Sequence, residues 1–220
     1  MDIGIIVDGI WQSYQTLQRD HPLAGAMLDG EVVYVLGDIG SQLLKERQID
    51  WRKVRYTAAL APTCGLAVHG VVETGDIVGR IVSEHPLVKA ALGPNLFGNL
   101  ISTYFFVNNQ IGERHGYNVG SLVRHYAGIF RNKSDLEEKG SAFFLARWWG
   151  NFKEDYLKII PQKEYVYSVV GTLTAWNGIQ YFNFARIPEH LRTSFALGCN
   201  IIWIMALSLW SLTARNEARS

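Results

Sequence analysis

The sequence predicts an all-α fold: one integral membrane domain over residues 1–220, built as a polytopic transmembrane helix bundle with four to five spans. Two observations carry this expectation. Three windows lack Asp, Glu, Lys and Arg altogether: 23 residues between Lys89 and Glu113, 21 from Tyr165 to Ala185, and 22 from Thr193 to Ala214. A helix needs about 20 residues to cross a hydrocarbon core of ~30 Å, so each window is long enough. The remaining charges then sort by side. With five spans, loops 45–55 and 109–164 and the C-terminal tail carry 16 of the Lys and Arg residues, and the opposite side carries 5. If the first segment does not cross, the split becomes 17 to 4. The positive-inside tendency puts the basic loops on the cytoplasmic or matrix side.

The candidate spans, in chain order, begin with 24–44, which is apolar except for Asp29, Glu31 and Asp38. Ala26 and Gly30, and Gly37 and Ser41, are spaced four apart, the interval at which small residues let helices approach closely in a membrane. The second, 56–72, contains Pro62 and His69, the latter expected to be a hydrogen-bonded core histidine. The third, 90–109, lies in the first charge-free window. A long basic loop, 110–164, follows. Within it, Val119, Leu122, Val123, Tyr126 and Phe130 recur at helical spacing, so 117–130 reads as a short amphipathic helix. Segment 141–149 reads as interfacial and 131–140 as exposed, with a sequon at Asn132 that is expected to be unoccupied. The fourth span, 165–185, carries the small pair Gly171 and Ala175. The fifth, 193–214, has the most continuous apolar run. Trp51, Trp148, Trp149 and Trp210 fall near span ends, where an amphipathic ring favours the interface.

Composition excludes several other classes. A net charge of +1 gives no nucleic-acid footprint, so no nucleic-acid contact is expected. The only two cysteines, Cys64 and Cys199, lie far apart in apolar stretches and read as buried free thiols, not as a disulfide framework or zinc site. The six histidines form no HExxH and no close pairing with cysteine. Gly93–Gly98 lacks the Lys-Ser/Thr of a phosphate loop. No enzyme activity, metal or cofactor is therefore expected. The N-terminus carries Asp2 and Asp8 without an Arg cluster, and reads as neither secretory signal nor transit peptide.

Two blocks of residues carry a family resemblance. Trp11, Tyr14, Leu17, His21 and Pro22 lead to Gly30, to Gly37-Asp38-Ile39-Gly40-Ser41-Gln42, and to the acidic-then-basic turn Asp50–Arg55. Near the other end, Trp176, Gln180, Asn183-Phe184, Pro188 and Arg192 precede Trp203 and Leu207-Ser208. The pattern resembles the 22-kDa peroxisomal membrane protein family, which includes the mitochondrial inner-membrane Mpv-seventeen protein. The chain departs from it at Asn177, where the family has proline, at Gly65-Leu66 and Val71-Val72, and over 113–170. The resemblance implies a four-span bundle in the mitochondrial inner membrane, in preference to the peroxisomal membrane. It also implies a pore for small solutes, or a regulator of one, supporting mitochondrial homeostasis and DNA maintenance. Trp11, Tyr14, Pro22, Gly37, Trp176, Phe184, Pro188 and Trp203 are its structural motif positions.

Polar residues inside the spans are the candidates for function. Asp38 is the sharpest, because a carboxylate near a span centre costs about 2.5–3.5 kcal/mol unless it faces protein or water. Gln42 lies one turn on. The pair either lines a solute path, or Asp38 pairs with a cation from 52–55 and fixes packing. Gln180 and Asn183 share one helix face and are expected to hydrogen-bond across helices. Pro188 and Arg192 are expected to end one span and anchor the next, with Arg192 reaching the phosphates or selecting anionic solutes. The expected partners are the lipid bilayer, small solutes and further copies of the chain. The alternative is a non-conducting membrane scaffold that binds partners through its basic loop.

Overall fold

The computed structural model describes residues 3–130, 150, 153 and 163–217, and every element among them is helical. The helices are α1 (Ile3–Asp20), α2 (Pro22–Glu46), α3 (Trp51–Ile81), α4 (Pro86–Leu92), α5 (Pro94–Arg114), α6 (Val119–Phe130), α7 (Lys163–Leu173), α8 (Ala175–Arg186) and α9 (Arg192–Glu217). A 3-10 turn, Glu189–Leu191, links the last two. Local chemistry sets the starts. Pro22, Pro86 and Pro94 open α2, α4 and α5, where a missing N–H costs nothing. The Asp50 carboxylate accepts from the Arg52 N–H at 2.8 Å and caps α3. Arg47 ends α2 in the left-handed region, at φ 54°.

Segments 24–44, 56–72 and 193–214 each fall inside one helix, namely α2, α3 and α9. The other two do not. Segment 90–109 is broken at Gly93, between α4 and α5, and 165–185 is broken at Thr174, between α7 and α8. At the first break Pro94 cannot donate a helical hydrogen bond, and Gly93 lies so close to the Gly75 backbone of α3 that a Cβ would overlap it. At the second, the Thr174 N–H bonds back to Gly171 O at 3.2 Å, and the Asn177 side chain takes the Leu173 carbonyl at 2.7 Å. Residues 73–81, beyond the expected end of the 56–72 span, where charge returns at Glu73, continue α3 without interruption. The loop expected from 110 begins inside α5, and α6 occupies the amphipathic stretch. The Asn132 sequon, the polar 131–140 stretch, segment 141–149 with its two tryptophans, and the Trp210 side chain lie outside the described residues.

Among the described residues, no helix is long and apolar enough to cross a membrane. The long helices carry too many polar groups: Asp29, Glu31 and Asp38 in α2, Glu73, Asp76 and Arg80 in α3, and a series of amides in α5. Several of these turn inward. Asp29, Asp38, Gln42, Asp76, Asn95 and Asn108 are all buried.

The α2–α3 antiparallel pair is the most extensive contact, followed by α9 on α2. Small residues make the first possible. Gly65 sits against the Ala26 carbonyl and Gly30 against the Ala61 carbonyl, leaving no room for a Cβ at either glycine. Val33, Tyr34, Ala61, Cys64, Val68 and Leu197 fill the core between α2, α3 and α9. A second cluster, Tyr56, Val107, Ile111, Leu122 and Tyr165, joins α3, α5, α6 and α7.

Candidate functional site: a polar cavity along the bundle

A cavity of about 430 Å³ lies between α2, α3, α5, α7, α8 and α9. Helix α5 lines it from Pro94 to Glu113. At 1.5 Å per residue that is about 28 Å of helix, so the cavity runs lengthwise. One end is charged, with Lys45, Glu46, Lys53 and Glu113 around it. Glu46 and Glu113 are exposed there, and Lys45 is half-buried. The other end is bounded by Val72, Pro94, Gln180 and Ala196, none of them charged.

Asp38 stands below the charged end. One oxygen accepts from Gln42 Nε2 and Thr57 Oγ1, each at 3.1 Å, and the other faces Lys53 Nζ at 3.5 Å. Asp38 therefore pairs with a cation from 52–55, as one expectation had it, and it also lines the cavity. Gln42 also lines it, and its carbonyl accepts from the Asp50 N–H at 2.6 Å, joining the end of α2 to the start of α3. Tyr117 stands over this mouth, with Lys53 5.8 Å from its ring centre. Burial, reinforced by the carboxylates of Glu113 and Asp38, pushes the Tyr117 hydroxyl well above its ordinary value.

Midway, Ser168 donates to Ser102 at 2.8 Å, and both line the cavity. Trp176 and Trp203 meet edge-to-face, with centroids 6.5 Å apart, on the same wall. Asn95 and Gln110 face the cavity from opposite ends of α5, each with a buried side-chain oxygen that has no partner among the described residues. The lining thus offers the Asn95 and Gln110 oxygens as hydrogen-bond acceptors.

The other predicted residues divide clearly. Gln180 lines the cavity, whereas Asn183 is fully buried behind it. The Asn183 side chain donates to Gln180 Oε1 at 3.0 Å and to the Arg192 carbonyl at 3.1 Å, which ties α8 to α9. Arg192 does not reach outward, as a snorkelling residue would. It turns in and donates to Asp76, because an unpaired carboxylate there would be buried without compensation. Phe184 lies beneath the guanidinium, 5.2 Å from ring centre to Cζ, against Gly75. Pro188 precedes the 3-10 turn. Gly37 packs on Ile204. Pro22 opens α2. Trp11 is exposed and stacks on Tyr14 at 5.6 Å. The Tyr14 hydroxyl donates to Asp29 at 3.0 Å, and burial beside that carboxylate pushes it up to about 12. His69 bonds Thr193 at 3.0 Å, as expected, but it is half-buried and not in the core. Cys64 is buried, whereas Cys199 is only half-buried, and both are free.

Asp76 and Lys89 were missed because both lie in the stretch read as loop. The one available signal was helical spacing: Asp76 follows Val68 and Val72 at four-residue steps on the buried face of α3. Among the described residues, no group of His, Cys, Asp and Glu could hold a metal ion. No family model, curated protein or solved structure matches the chain.

Proposed function

We propose that the chain is a polytopic membrane protein whose helix bundle encloses a path for small solutes, with Asp38 and Gln42 at its wall. The lengthwise cavity is the observation that carries this reading. Its length along α5, about 28 Å, is close to the ~30 Å of a hydrocarbon core. Its volume, about 430 Å³, suits a small solute and not a macromolecule.

The distribution of polarity supports a lipid setting for the bundle. On α2 the outward residues are Leu23, Met27, Leu28, Val32, Leu36 and Leu43, all exposed, while Asp29, Asp38, Ser41 and Gln42 face inward. An aqueous surface helix has the reverse arrangement. Inward polar groups lower a helix's average hydropathy without bringing a charge into contact with lipid, because they bond within the bundle. The charge-free length of 193–214 and the sorting of basic residues point the same way. The resemblance to the 22-kDa peroxisomal membrane protein family favours a mitochondrial inner-membrane location.

The test is single-channel recording of the purified protein in planar bilayers, with Asp38→Asn beside it. Discrete openings are expected, with cation preference reduced in the variant, because neutralising Asp38 leaves Lys53 as the nearer charge. No conductance from a folded, inserted sample would sink the pore and favour a scaffold instead.

A further inference from the structure

Beyond the wall residues, the cavity's uncharged end carries a feature of its own. Asp76 of α3 takes Arg192 of α9 and Lys89 of α4 on the same carboxylate oxygen, Lys89 at 3.5 Å. Its other oxygen is buried and has no partner among the described residues. All three side chains are largely buried. Lys89 also pairs with the exposed Glu84 at 2.5 Å, just beyond the end of α3. One turn inward from Asp76 and Arg192 lie Val72 and Ala196, which end the cavity.

We propose that the Asp76–Lys89–Arg192 cluster is a gate that closes the cavity at the end opposite Lys53. This rests on the solute-path reading and assigns that path its regulation. A buried ion cluster is weak evidence for stability, since apolar packing does as well, so its retention at a path end fits a switch better than a staple. Its placement also suits movement. Lys89 rides on α4, seven residues held between the Ser83–His85 link and the break at Gly93. Glycine is required at that break, because Gly93 lies against Gly75 directly beside Asp76. Withdrawing Lys89 from Asp76 needs α4, which packs on α3, α5 and α8 with Ala90 fully buried, to shift against them about these two breaks. Asp76 is the carboxylate that both cations share, so neutralising it leaves Lys89, held by Glu84 alone, beside Arg192 without a common counter-charge.

The experiment reads access to the cavity from each face instead of conductance. Cys64→Ser and Cys199→Ser remove both native thiols, and Ser102→Cys puts a reporter in the cavity wall. The full chain, in oriented proteoliposomes, is treated with a membrane-impermeant maleimide on one face at a time. The reporter is expected to react from the Lys53 face and to be protected from the Glu84 face. Adding Asp76→Asn is expected to raise the Glu84-face rate at least tenfold and to leave the Lys53-face rate unchanged. Should that variant fail to fold, Lys89→Met withdraws one cation and must raise the same rate. A reporter that is equally reactive from both faces at the start overturns the gate, as does a Glu84-face rate unmoved by a folded variant. Protection from both faces removes the solute path itself, and with it the gate, which separates that failure from failure of the gate alone.

Discussion

Tyr14 shows how a single side chain attaches an element. Its hydroxyl and the Gln18 amide both donate to Asp29, the latter at 2.9 Å, so a buried carboxylate of α2 is satisfied entirely from α1. Tyr14→Phe leaves Asp29 with Gln18 alone. The expected loss is about 1 kcal/mol, measured by denaturant unfolding in detergent micelles. A pH dependence follows as well. The Tyr14 pKa is raised above its ordinary 10.0 to about 12, so the neutral hydroxyl is the form that stabilises the fold. Its contribution is complete below pH 10 and is lost as pH rises towards 12. Wild type should lose stability in that window, relative to Tyr14→Phe. Parallel curves for the two proteins would remove Tyr14 from the account.

The α2–α3 crossing depends on absent side chains. A methyl on Gly65 meets the Ala26 carbonyl, which belongs to a helix backbone and cannot rotate away. Gly65→Ala should therefore cost about 1–3 kcal/mol through displaced helices, read as a fall in Tm. Gly70 of the same helix has nothing within 4 Å of where its Cβ would stand. Gly70→Ala should be neutral, or stabilising by up to about 1 kcal/mol, since alanine is the better helix former. Equal effects at the two positions would show that helix propensity, not close approach, governs the pair.

For the whole molecule, the property that bears on the membrane reading is the exposed apolar face of α2 over its buried polar row. A bundle of that kind should stay with the membrane pellet through alkaline carbonate extraction, and its release into the supernatant would overturn the membrane reading. The residues of the two motif blocks fall on α1, α2, α3, α8 and α9, and nothing in their order marked a site. Asp38 was found because it interrupts an apolar run. Asp76 was not, because Glu73 and Arg80 flank it and a charged stretch reads as loop.

The sequence by itself determined the all-helical class, the extents of α2 and α9 as single segments, and Asp38 as a group in need of a partner. These follow from local causes: apolar periodicity, proline positions and the cost of an isolated carboxylate. The tertiary structure alone decided that Arg192 points inward to Asp76, that α4 and α5 part at Gly93, and that Asp38 lines the cavity between the helices. Those outcomes depend on which residues distant in the chain come into contact. Gly93 meets Gly75 and Arg192 meets Asp76 across 18 and 116 positions, and no local pattern in either partner records the other.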